Sequence, residues 1–67
     1  MNVQYEIVRY SGNAVLVLSQ HETLIQADDV WRRCDYSKDK RVRIFKRWYS
    51  LRGYKYLEET ITGYNTP

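Results

Sequence analysis

The chain offers little with which to make or break a covalent bond. Its one histidine, His21, and one cysteine, Cys34, are the sole pair suited to act as base and nucleophile. Such a pair must meet within hydrogen-bond distance, and on one helix their spacing separates them by roughly 20 Å at ~1.5 Å per residue. Cys34 falls on an apolar stripe and reads as a small buried hydrophobe, His21 as a solvated group in a first helical turn. The carboxylate pairs Asp28-Asp29 and Glu58-Glu59 are sequence neighbours, which a helix or a strand points apart. No second sulfur ligand exists to start a zinc site, and no glycine-rich phosphate loop is present. The expectation is a non-enzymatic protein with no catalytic residues, no metal and no cofactor.

Charge is the stronger signal. The net charge is +3, but ten of the eleven lysines and arginines lie in residues 32–55, where Asp35 and Asp39 are the only acids and the net is +8. Residues 1–31 carry −3 and the last twelve −2. An unequal distribution of this kind gives a one-sided field once the chain folds. Candidate phosphate contacts are Arg32, Arg33, Lys40, Arg43, Lys46, Arg47 and Lys55, because lysine and arginine release condensed counterions from a nucleic-acid backbone without reading bases. Tyr36 and Tyr54, at the edges of the basic stretch, are candidates for stacking on bases or anchoring a partner.

These residues need elements to position them. Wound at ~100° per residue, Val42, Ile44, Phe45, Trp48, Tyr49 and Leu51 share one half of a helix, with Arg43, Lys46, Arg47 and Ser50 on the other. Drawn as a strand, both faces mix charge with apolar groups. The spacing therefore predicts an amphipathic helix over 38–52, with Ser37 as N-cap, Asp39 in the first turn and Gly53 after the last. Upstream, Ser19 and Glu22 match a capping box. Leu24, Ala27, Val30, Trp31 and Cys34 recur at helical spacing, predicting a first helix over about 20–35. Ile25 lies off that stripe and supports a rival in which the second strand continues through 20–26 and a shorter helix starts beside Asp28.

Val3, Tyr5 and Ile7 alternate with polar residues as a strand does, Ser11-Gly12-Asn13 has turn chemistry, and Ala14–Leu18 is a short apolar run that pairs back as a hairpin. Residues 54–62 read as a C-terminal strand, and 63–67 as a tail that frays. The order is β-β-α-α-β, an α+β fold in one compact domain of residues 1–67.

At 67 residues a domain buries only about 60% of its unfolded surface, so the seven tyrosines, two tryptophans and one phenylalanine must supply the core area. No apolar run approaches the ~18 residues of a membrane span, no signal-peptide pattern opens the chain, and the lone thiol suits a reducing compartment. The expected place is the cytoplasm. The first functional expectation is a small accessory or regulatory protein that lays its basic helix face on a DNA or RNA backbone. The second is a small interaction protein or inhibitor, of the sort phages and other mobile elements encode, that docks a larger protein machine through the same basic and aromatic surface. A homodimer that buries aromatic area is compatible with both.

Overall fold

The computed structural model describes residues 2–66. Six elements follow one another: β1 (Asn2–Ser11), β2 (Ala14–His21), α1 (Leu24–Arg33), a single 3-10 turn (Tyr36–Lys38), β3 (Val42–Tyr49) and β4 (Lys55–Thr60). The strands form one antiparallel sheet in the order β2-β1-β3-β4, with α1 packed on one face. The architecture is β-β-α-β-β around a short 3-10 turn, with one α-helix rather than two.

The opening hairpin forms as its residues dictate. Gly12 takes φ +59° in the two-residue turn between Ser11 and Ala14, which face each other across the ladder. A register shift between Ile7 and Val8 inserts Leu18 as the extra residue of β2. The helix starts later than the Ser19/Glu22 pattern predicts, because Ser19 remains in β2. Thr23 caps it instead, its hydroxyl accepting from the Gln26 amide at 3.2 Å while the Gln26 side chain accepts from the Glu22 amide at 3.1 Å. Both readings of residues 20–26 are thus partly replaced: the strand ends at His21 and the helix begins at Leu24. At the far end Cys34 is the C-cap and is exposed, not buried on the stripe.

Residues 38–52 are not a helix. Val42, Ile44, Phe45, Trp48 and Tyr49 are β-branched or aromatic, and five such residues in eight favour a pleated backbone. The cations that argue against a strand when taken one at a time are accommodated by neighbours from other strands. Asp39 and Gly53 serve the ends of β3 rather than the ends of a helix. Asp39 Oδ1 accepts from the Arg41 amide at 2.9 Å in the turn that leads in. Gly53, at φ +86°, lies in the β3–β4 connection, where the Ser50 amide donates to the Tyr54 carbonyl at 2.9 Å.

The helix-side core is Ile7, Ala27, Trp31, Val42 and Ile44, with Tyr5, Leu18, Leu24, Val30, Tyr36, Ile61 and Tyr64 packed around it. Tyr64 and Asn65 lie in the stretch expected to fray. The Tyr64 ring stands edge-on to Trp31 at 5.1 Å and its hydroxyl donates to Asp28 at 2.7 Å. Asn65 donates to the carbonyls of Tyr36 and Asp39 at 2.9 and 2.6 Å. Pro67 is outside the described residues. Among those residues no helix is long and apolar enough to cross a membrane.

Candidate interaction surfaces

Strand alternation divides the expected basic face. Ile44 and Val42 point to the helix, so Lys46 and Trp48 share that side while Arg43, Phe45, Arg47 and Tyr49 take the other. A helix would have kept Arg43, Lys46 and Arg47 together; β3 does not.

On the face that no helix covers, Glu6 is nevertheless fully buried. It accepts from Arg47 Nη1 at 2.6 Å, from Gln20 Nε2 at 2.8 Å and from the Tyr49 hydroxyl. Arg47, 8% exposed, also donates through Nε to Glu58 at 3.0 Å, and Glu58 pairs in turn with Lys55 at 3.0 Å. Burial works against the Arg47 charge, but Glu6 and Glu58 more than offset it and its pKa is raised. Burial first, and then the bond to Glu6, holds the Tyr49 phenol above its ordinary range. Arg47 therefore faces two carboxylates rather than solvent. Beside this network Arg43 lies 5.0 Å from the Tyr10 ring centre, Tyr10 meets Phe45 edge-on, and Arg47 covers Phe45 at 5.2 Å. Long side chains thus roof this half of the sheet.

The other expected contacts are dispersed. Arg32 and Arg33 end α1, tied to Asp28 and Asp29 one turn back at 2.8 and 2.9 Å. Lys55 is held by Glu58. Lys46 lies over Trp48 at 4.9 Å and Tyr5 at 5.8 Å, beyond the central cluster. Lys40 is exposed in the turn before β3. Tyr36 is half-buried against Trp31, and burial, then the neighbouring Cys34, raises its phenol. Tyr54 is 72% exposed.

The cations divide by partner. Among the described residues Arg9, Lys40, Arg43, Lys46 and Arg52 have no carboxylate within ion-pair distance, whereas Arg32, Arg33, Lys38, Arg41, Arg47 and Lys55 do. Arg9 is distant from the others in sequence, yet β1–β3 pairing sets it opposite Val42, and the Tyr10 amide bonds the Arg41 carbonyl at 2.9 Å. It lies at the same end of the sheet as Lys40 and Arg43, on the helix face with Val42 whereas Arg43 is on the other. Arg43 Nε is buried there without a hydrogen-bond acceptor.

A second surface is apolar. Leu51 (94% exposed), Tyr54, Tyr56 and Leu57 project from the β3–β4 turn and β4. Leu51 alone of the four lines an open depression of ≈ 630 Å³, with Asn2, Gln4, Gln20, Tyr49, Ser50 and Gly53. The stretch 51–57 was legible as aromatic, but the helix reading assigned Leu51 to the core. Another depression, of ≈ 530 Å³, lies between α1 and the C-terminal segment at Asp28, Trp31, Arg32 and Tyr64. Among the described residues no group of three metal-ligating side chains is gathered. His21 ends β2, its Nε2 2.9 Å from the Ser19 hydroxyl.

No protein family, curated protein or solved structure matches the chain.

Proposed function

We propose that the protein is a non-enzymatic interaction module that docks a larger protein through β4 and the turn before it. The observation that carries this reading is the exposure of Leu51, Tyr54, Tyr56 and Leu57 within seven consecutive residues. Rigid aromatic and aliphatic groups of this kind supply the central anchors of protein interfaces, and a soluble domain gains nothing by presenting them to water. The charge supports it too, since six of the eleven cations have a carboxylate within ion-pair distance in the fold. The lone free thiol, Cys34, suits work in the cytoplasm. The test is affinity purification from lysate with and without nuclease, wild type beside Tyr54→Ser/Leu57→Ser. The expected result is a stoichiometric protein that survives nuclease and is lost with the double variant; recovery of nucleic acid alone overturns the reading.

A second reading, a DNA or RNA backbone bound by Arg9, Lys40 and Arg43, is supported by their lack of carboxylate partners. In that case affinity falls steeply and without sequence preference as salt rises.

A further inference from the structure

The two outer strands of the sheet differ in how they meet solvent. β4 carries Lys55, Glu58 and Glu59, the charges with which edge strands discourage pairing. β2, Ala-Val-Leu-Val-Leu-Ser-Gln-His, is the one strand of the four with no lysine, arginine, aspartate or glutamate, and it has no proline. Val15, Leu16 and Val17 are each nearly half exposed along it.

We propose that β2 is the interface for a second copy of this chain, paired antiparallel about a two-fold axis at Leu16 to give one continuous eight-stranded sheet. A two-fold interface sets each surface against itself, so a charge at the axis would confront its own image; the axis residue here is Leu16, and its neighbours Val15 and Val17 are uncharged as well. The residues around Leu16 are also self-complementary. Antiparallel pairing centred there sets Val15 opposite Val17 of the partner subunit, Val17 opposite Val15 of the partner subunit, and Leu16 opposite its own counterpart. Paired residues share a face, so β-branched groups meet β-branched groups on one side and leucine meets leucine on the other. Over Ala14–Leu18, the stretch that overlaps when the axis is at Leu16, unpaired backbone groups of both edges are satisfied in the same step. Because the far edge is guarded by charge, growth stops at two chains.

This goes beyond the docking surface on β4, which lies on the opposite edge and remains open in each copy of the dimer. The test is sedimentation velocity of the full chain from low micromolar to near-millimolar concentration. The expected result is conversion from a monomer of 8.1 kDa to a species of twice that mass. Val17→Lys is expected to abolish the dimer while keeping the circular dichroism of the folded chain, and Leu57→Lys, on β4, to leave it intact. Val15→Lys serves as the second disrupting variant should Val17→Lys not fold. Concentration-dependent slowing of amide exchange confined to β2 supports the same pairing without any substitution. A wild type that stays monomeric throughout overturns the proposal. So do a dimer that survives Val15→Lys, loss of the dimer with Leu57→Lys, and open-ended oligomers in place of a closed pair.

Discussion

Glu6 and Arg47, forty-one positions apart, meet on the uncovered face of the sheet with Oε1 and Nη1 2.6 Å from each other. The carboxylate is fully buried, and its other ligands, Gln20 and Tyr49, come from β2 and β3. The Glu6 carboxylate thus ties β1, β2 and β3, and it matches one of the three cations that β3 brings into the middle of the sheet.

Removing one partner of such a pair leaves the other charge buried and unmatched. Arg47→Gln is therefore expected to destabilise the fold by about 3–5 kcal/mol, read from the midpoint of urea unfolding. Replacing both members, Glu6→Leu with Arg47→Met, should recover most of that loss, since the desolvation cost leaves with them. A single variant as stable as wild type would show that water screens the pair.

The two tryptophans have different places and should respond differently. Trp31 is 6% exposed in the central cluster, whereas Trp48 is only partly buried and lies outside it. Trp31→Ala is expected to cost about 3–5 kcal/mol, enough to unfold a domain of this size, and Trp48→Ala clearly less. In single-tryptophan variants made with phenylalanine, acrylamide should quench Trp48 readily and Trp31 weakly.

Stability should fall at both ends of the pH scale for named reasons. Tyr49 and Tyr64 have raised phenol pKa values, the first through burial and Glu6, the second through its bond to Asp28. Their contribution is complete below the ordinary tyrosine value of ~10 and is lost as pH rises through the higher folded values. Asp28, Asp39 and Glu58 are shifted the other way, by Tyr64, Arg41 and Lys55 in first place. Their contribution is present above the ordinary carboxylate range of ~4 and is lost as pH falls through the lower folded values. Urea midpoints against pH should show both limbs, and Tyr49→Phe should make the alkaline one shallower while leaving the acid one in place.

If a phosphate backbone is the ligand, the cations without carboxylate partners are the ones that count. Contacts from Arg9, Lys40 and Arg43 give a slope of log affinity against log salt of about −3. Arg43→Gln should flatten it by about one unit, and Arg33→Gln, whose guanidinium is already held by Asp29, by less. Absence of binding to single- or double-stranded DNA or RNA at low salt removes this reading.

The parts of the fold that rest on local chemistry were readable in the sequence. Gly12 and Asn13 announced the hairpin, Leu24, Ala27, Val30 and Trp31 announced the inward face of α1, and residues 54–62 announced β4. The error at 42–49 has a physical cause. Amphipathic sorting treats a charge as solvent-facing, but Arg47 is matched by Glu6 and Glu58, Arg43 lies on Tyr10, and Lys46 lies over Trp48 and Tyr5. Those partners come largely from other strands, so no window along the chain contains them. The same limit separated Arg9 from the cluster it borders and placed Leu51 inside a core it does not reach.

The place of β1 inside the sheet bears on how the chain acquires its shape during synthesis. β1 leaves the ribosome before either neighbour, and β2 follows at once across a two-residue turn. Its other edge is claimed by β3, in a register that runs from Arg9 opposite Val42 to Asn2 opposite Tyr49. Until β3 emerges, the nascent hairpin has both long edges open, with Glu6 lacking Arg47 and Tyr49 and Ile7 lacking Ile44. Closing that long loop comes before the contacts that reward it, which places folding with slow, non-local topologies rather than with fast helical ones. The hairpin thus waits with the inner edge of β1 unpaired until β3 arrives.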